Sequence, residues 1–443
     1  MSFHKALRQR ALRTCAQGAV ALVTVLLAAC GGGGGSSTTT TNTTVSANAI
    51  VGDSIPGANV IAVSVDGGPA GSAYQANRLF TDVTICVPGT ATCQTLDHVL
   101  VDTGSTGLRV IASAITNTGL QNLTKVTGDT GKTLLNCATF LDGTFAWGPV
   151  AYADVKLGSK TAGNLPIQLI ADSLVGSTSG YNSSASACSS GSGGITKVTG
   201  TSPTDATALG AKGILGIGHL KEDCGAACVL SAFVSTQGYY YECATTSAGS
   251  CTSTVASKAP LGKQIKNPVP LFNGDNNGLA VVLPAISPAG AERATTLQGS
   301  IVFGVDTQAN NSSAGATLLQ LNSSGYFTAT LNGVTMPASF LDSGSNGIFF
   351  DTGLNRCNGF YCPASATTFT GTLKGTNNVS KDVSFDIKTA QFATNYHVFP
   401  LLAGPLGKSN AFDGGLPFFF GRKVFVGIEG AASNLGAGAY YGF

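Results

Sequence analysis

LVDTGSTGLRV, residues 100–110, is the stretch whose reading decides the fold. A strand-like apolar run enters an Asp-Thr-Gly-Ser turn and a second apolar segment leaves it. In a chain with 59 glycines a single D-T-G-S is weak evidence, so its weight depends on a matching half elsewhere. LDSGSNGIFF at 341–350 is that half. Asp102-Thr-Gly-Ser-Thr-Gly-Leu aligns with Asp342-Ser-Gly-Ser-Asn-Gly-Ile, and each copy follows an apolar approach. The copies lie 342 − 102 = 240 residues apart, room enough for one in each of two lobes. This is an internal repeat of a short chemical element.

Two decoys show how selective the pattern is. Asp351-Thr352-Gly353 continues with Leu354 where Ser is needed, and Asp129-Thr130-Gly131 has no apolar strand before it. The second also falls short of a phosphate-binding G-x-x-x-x-G-K-[ST] loop, because Val126 stands where Gly is required.

Paired carboxylates explain why such a pattern would recur. Two held close together cannot both ionise cheaply, so they share one proton. The ionised member can activate a water as general base while the protonated one donates to a substrate carbonyl. Gly104 and Gly344 permit tight loops that bring backbone N–H groups to the carboxylates. Thr103 and Ser343 can brace the loops against each other, and Ser105 and Ser345 can donate to the outer carboxylate oxygens. The pair titrates as a unit, so neither Asp102 nor Asp342 takes a fixed acid or base role. This chemistry requires no cofactor and no metal.

The rest of the chain bounds the setting. Of 443 residues, 43% are apolar and only 10% charged. NVIAVSVDG and NRLFTDVTIC are short, β-branched and bounded by turn formers, and long helical periodicity is scarce. The expectation is a large all-β protein. Net charge is +2 without a basic stripe, so nucleic acid is not an expected partner. No G-x-S-x-G elbow supports a Ser–His–Asp mechanism, and His98, Tyr396 and His397 read as ordinary strand residues.

Lys5, Arg8, Arg10 and Arg13 precede a short apolar run ending in LAAC at 27–30, an export signal too short to span a membrane. The ending resembles the lipobox of bacterial lipoproteins, in which Cys30 is lipidated. GGGGGSSTTTTNTT then reads as the tether of an anchored domain. Gly31 after the Cys favours the outer membrane by resemblance to sorting rules. Without Cys15 and Cys30, ten of the twelve cysteines remain, an even count that suggests disulfides. Cys86/Cys93, Cys224/Cys228, Cys243/Cys251 and Cys357/Cys362 are plausible local pairs. His219, Cys224 and Cys228 resemble part of a zinc site, but an oxidising compartment favours disulfides.

At the two Asp loops the chain resembles the pepsin-like aspartic proteases, which are bilobal and all-β with one D-[TS]-G-[ST] loop per lobe. AKGILGIG at 211–218 looks like the segment supporting the first loop. GSIVFGVD at 299–306 is similar to the strand opening the second lobe, and GGLPFFFGRKVFVGIE at 414–429 sits where the last supporting segment belongs. More narrowly, the lipobox, the tether and the G-L-P-F-F-F-G ending resemble a family of uncharacterised bacterial lipoproteins. The resemblance implies a bilobal fold with an internal pseudo-two-fold repeat. Its divisions are a signal peptide (1–29), a lipidated Cys and tether (30–55), a first lobe (56–290) and a second (291–443).

It also implies an endopeptidase acting on a peptide or protein substrate, held to a membrane by its lipid. Several positions depart from the family. FLDGTFAWGPVAYADVKLG at 140–158 looks like the flap hairpin, with Asp142 and Gly143 at its turn, but has no Tyr near Phe140 or Leu141. Trp147 is the candidate substitute, although packing within the hairpin is the commoner role for such a residue and the cleft could equally lack a conventional flap. Arg109 stands where an apolar residue is usual, and Asp413 and Gly414 replace apolar residues in the second supporting segment. The alternative is an inactive surface lipoprotein whose cleft binds a peptide, glycan or protein. Oligomeric state, substrate side chains and disulfide connectivity stay open.

Overall fold

A computed structural model describes residues 46–176, 188, 202–231, 238–247, 249–287 and 290–443. The signal peptide, Cys30 and most of the tether lie outside the described residues. The protein is all-β. Among the described residues, 16 strands form one large sheet and seven form a second.

Burial along each strand follows its place. Phe327–Leu331 alternates buried and half-exposed residues, as a strand does with one face on the core. It turns through Asn332-Gly333, both at positive φ, into Val334–Leu341. Asn-Gly favours this turn because its backbone twist matches that of a two-residue hairpin. Thr106–Ile111 and Gly213–Ile217 are buried at every position, which marks strands covered on both faces.

The large sheet draws on both sides of residue 290. Leu297–Phe303 lies antiparallel between Val60–Val65 and Gly278–Val282. Gly278–Val282 pairs in turn with Lys423–Gly427, which pairs with Tyr440–Gly442. Thus the GSIVF of GSIVFGVD falls within a strand bonded to both earlier segments. The smaller sheet spans residues 327–414. Behind it the Phe350, Phe369, Phe385 and Phe412 rings pack at centroid distances of 5.0–6.0 Å. Such aromatic clusters add to the stabilisation from burying their area.

Five disulfides join described residues. Four are the local pairs Cys86–Cys93, Cys224–Cys228, Cys243–Cys251 and Cys357–Cys362. Cys224 and Cys228 are therefore not zinc thiolates. The fifth, Cys137–Cys188, closes a separation of 51 residues and fastens the hairpin that carries Trp147.

Candidate active site

Each Asp stands where a strand ends. Cys93–Asp102 finishes with four buried residues, and Val334–Leu341 leads directly into Asp342. The chain then loops and returns as Thr106–Ile111 in one case and Ile348–Phe349 in the other. A third segment wedges between outgoing and returning strands. Gly213–Ile217 runs parallel to the first strand and antiparallel to the second, with Gly216 opposite Asp102. Asp413–Gly414 does the same beside Asp342, parallel to Phe340–Leu341 and antiparallel to Ile348–Phe349. Both returning strands gain a further parallel neighbour, Lys160–Ile170 and Ala403–Gly404. The same arrangement therefore occurs twice.

Close approach explains the glycines in the wedges. A Cβ on Gly216 would lie 2.6 Å from the Thr106 backbone nitrogen, and one on Gly415 2.1 Å from the Gly347 carbonyl oxygen. The second wedge therefore reads Asp413-Gly414-Gly415 where the first reads Ile214-Leu215-Gly216. A polar residue and an extra glycine made it look like a poor match in sequence.

The two loops meet through buried, reciprocal hydrogen bonds. The Thr103 N–H donates to Ser343 Oγ (3.1 Å) and the Ser343 N–H to Thr103 Oγ1 (3.0 Å). Each hydroxyl then donates onward, Thr103 to the Leu341 carbonyl (3.3 Å) and Ser343 to the Val101 carbonyl (2.9 Å). Every polar atom of this cross-brace is thereby used.

Asp102 and Asp342 are gripped alike. The Gly104 N–H (2.8 Å) and Ser105 hydroxyl (2.5 Å) donate to the two oxygens of Asp102. The Gly344 N–H (2.7 Å) and Ser345 hydroxyl (2.8 Å) do so for Asp342. Each carboxyl also lies against the opposite loop. A Cβ on Gly104 would sit 2.6 Å from Asp342 Cγ, and one on Gly344 2.9 Å from Asp102 Cγ. Burial first, then the Asp102 charge, pushes Asp342 well above the carboxylate range. A pair in this position retains a proton that isolated carboxylates would release.

The hairpin at 140–158 turns through Asp142-Gly143, where Asp142 Oδ1 accepts from the Thr144 N–H (2.9 Å) and hydroxyl (2.6 Å), and Gly143 has a φ of 81°. Trp147 does not stand in for the missing Tyr. Its ring is fully buried and packs edge-on against Tyr241 at 5.6 Å, inside the cluster with Cys137 and Cys188. Phe140 packs against the cluster of Phe80, Leu100, Ala211 and Ile214.

Three residues complete the surroundings. Arg78 donates to the Leu209 carbonyl (3.1 Å), and burial lowers its pKa while the Asp142 and Asp102 charges raise it. The hairpin turn and the first Asp loop thus share one cation. No sequence signal singled out Arg78. Arg109 is buried and pairs with Asp223 (3.1 Å), and its Nη1 donates to the Thr106 carbonyl (2.6 Å). Its unusual charge is neutralised 114 residues along the chain. His98 faces Asp66 (3.4 Å) and Asp97 (3.2 Å).

Fold and site define an all-β protein with two cross-braced loops that converge on a carboxyl pair. By sequence the chain belongs to the DUF3443 family of proteins of unknown function, whose model matches residues 56–443. No curated protein matches it.

Proposed function

We propose that this protein is a pepsin-like aspartic endopeptidase that hydrolyses peptide bonds with a water activated between Asp102 and Asp342. The observation that carries this reading is the reciprocal Thr103–Ser343 cross-brace, which holds two identically gripped carboxyls against opposite loops. The shared proton lets one carboxyl accept from the water while the other donates to the scissile carbonyl. Attack is direct, so no acyl-enzyme forms. Ser105 and Ser345 steady the outer oxygens as charge moves between the carboxyls. The substrate is a peptide or protein. Lipidated Cys30 and its tether hold the enzyme to the outer membrane, a placement tested by membrane fractionation of Cys30→Ser.

The decisive experiment incubates residues 46–443 with a diverse peptide mixture from acid to neutral pH, beside Asp102→Asn and Asp342→Asn. Cleavage in the wild type that either substitution abolishes is the expected result. Cleavage that survives both would refute the mechanism. Silence from all three would favour the second reading, a cleft that binds peptide, glycan or protein without cutting. The full burial of Trp147, which keeps that ring from covering the cleft, is the observation on that side.

A further inference from the structure

The cross-brace is supported by a strand a hundred residues further along the chain. Tyr440–Gly442 lies antiparallel between Lys423–Gly427 on one side and Leu318–Gln320 on the other. Successive side chains of a strand point to opposite faces. On one face the Tyr440 hydroxyl shares a hydrogen bond with Ser433 Oγ (2.6 Å). On the other the Tyr441 hydroxyl donates to the Leu341 carbonyl (3.0 Å). Both tyrosines are at most 1% exposed.

The Leu341 carbonyl belongs to the peptide group that leads into Asp342. The other end of that group, the Asp342 N–H, donates to the Gly414 carbonyl (3.1 Å). Thr103 Oγ1 reaches the Leu341 carbonyl at 3.3 Å, long for a hydroxyl donor, whereas Ser343 Oγ reaches the matching Val101 carbonyl at 2.9 Å. The brace is therefore slack on the Asp342 side, and Tyr441 adds the shorter bond there. A carbonyl oxygen has two lone pairs, so both donors can be met. Burial, and then the Asp342 charge, pushes the Tyr441 pKa upward, and the phenol keeps the proton it donates.

Packing of the ring fixes where that hydroxyl stands. It meets Phe327 at 6.1 Å and His219 at 6.5 Å, both edge-on. Phe327 is paired with Ser339 in the strand that leads into Asp342. His219 follows the first wedge, where the Gly218 N–H donates to the Ser105 carbonyl (3.0 Å). One ring thus touches the segments behind both Asp loops. We infer that Tyr441 is a positioning residue for the carboxyl pair: its hydroxyl fixes the Leu341–Asp342 peptide group and so sets where the Asp342 carboxyl stands against the Gly104 loop. A tilt of that peptide group passes directly to the Asp342 side chain, and small misplacements of reacting groups cost large factors in rate.

This inference rests on the reading of Asp102 and Asp342 as a catalytic pair, and its test separates the two. Tyr441→Phe and Tyr440→Phe each delete one buried hydroxyl from the same strand. Both would be compared with wild type on a peptide found by the mixture experiment, with Asp102→Asn as blank. Tyr441→Phe should lose about fivefold to tenfold in kcat with KM unchanged, and Tyr440→Phe should keep kcat within about twofold. Equal losses in the two variants would overturn the inference, because general loosening of the strand would then explain them. A Tyr441→Phe enzyme with wild-type kcat, whether or not its KM changes, would overturn it too. Amide hydrogen exchange reads the same contact without substrate. The Asp342 and Ser343 amides should exchange about tenfold faster in Tyr441→Phe and at the wild-type rate in Tyr440→Phe. If the wild type cuts no peptide, the catalytic reading has failed, and exchange alone decides whether Tyr441 holds this loop. Unchanged rates in Tyr441→Phe overturn that role.

Discussion

Replacing Thr103 by Val removes one hydroxyl from the cross-brace with almost no change in shape. The Ser343 N–H then loses its side-chain partner in a region where Thr103 and Ser343 are at most 1% exposed, while the Leu341 carbonyl keeps the Tyr441 hydroxyl (3.0 Å). Leaving a buried polar group unsatisfied costs roughly 1–3 kcal/mol, and that is the expected loss. Ser343→Ala strands the Thr103 N–H and the Val101 carbonyl in the same way. Thr103→Ser keeps the oxygen and should stay within about 1 kcal/mol, the size of a lost methyl. Trp147 is the only tryptophan and is fully buried, so its fluorescence in a urea titration reports unfolding from a single position. Thr103→Val and Ser343→Ala losses below about 1 kcal/mol, or a Thr103→Ser loss equal to that of Thr103→Val, would refute this reasoning.

Other outcomes follow from the same structure. Asp223 is raised from 3.8 to about 6, mainly by burial, against the pull of Arg109, Tyr240 and Asn136. Its folded form holds a proton more tightly than its unfolded form, so its contribution to stability is full below pH ~4 and is lost as pH rises through ~6. Urea midpoints across that window should show the decline. Arg109→Leu alone leaves the Asp223 carboxyl unpaired and should cost about 3–5 kcal/mol near neutral pH and less in acid. Arg109→Leu with Asp223→Asn should recover most of it. Opening Cys137–Cys188 by paired Ala substitutions should cost about 4 kcal/mol and opening Cys86–Cys93 about 2, because the closed separations are 51 and 7 residues. Equal midpoint shifts for the two pairs would contradict that order.

What the sequence disclosed depended on how local each signal was. The two Asp loops were legible because strand, turn and hydroxyl neighbours are contiguous in each copy. AKGILGIG was legible because an apolar-apolar-Gly segment can fill a wedge between strands, and Gly213–Ile217 does so. Asp413 sits in the corresponding slot and was conspicuous only as a misfit, since its environment is made by Phe340 and Phe349 far earlier in the chain. Arg109 was equally opaque, its partner Asp223 arriving from a distant segment. The four local disulfides could be proposed from spacing, whereas Cys137–Cys188 could not, because nothing nearby in sequence brings those cysteines together. Trp147 could be placed on a hairpin, but which face of a strand meets the core depends on what lies beneath it, here Tyr241.

The wedge beside Asp342 is made of residues 413–415, more than 300 positions after Asp102. A ribosome therefore finishes the first carboxyl loop and its support at residue 217 long before the second has anything to close around. Through most of its synthesis the chain carries half a site. The large sheet imposes the same delay, because Gly278–Val282 waits for Lys423–Gly427 to arrive. The hydrolysis proposed for the pair would therefore have to wait until the last strands are in place.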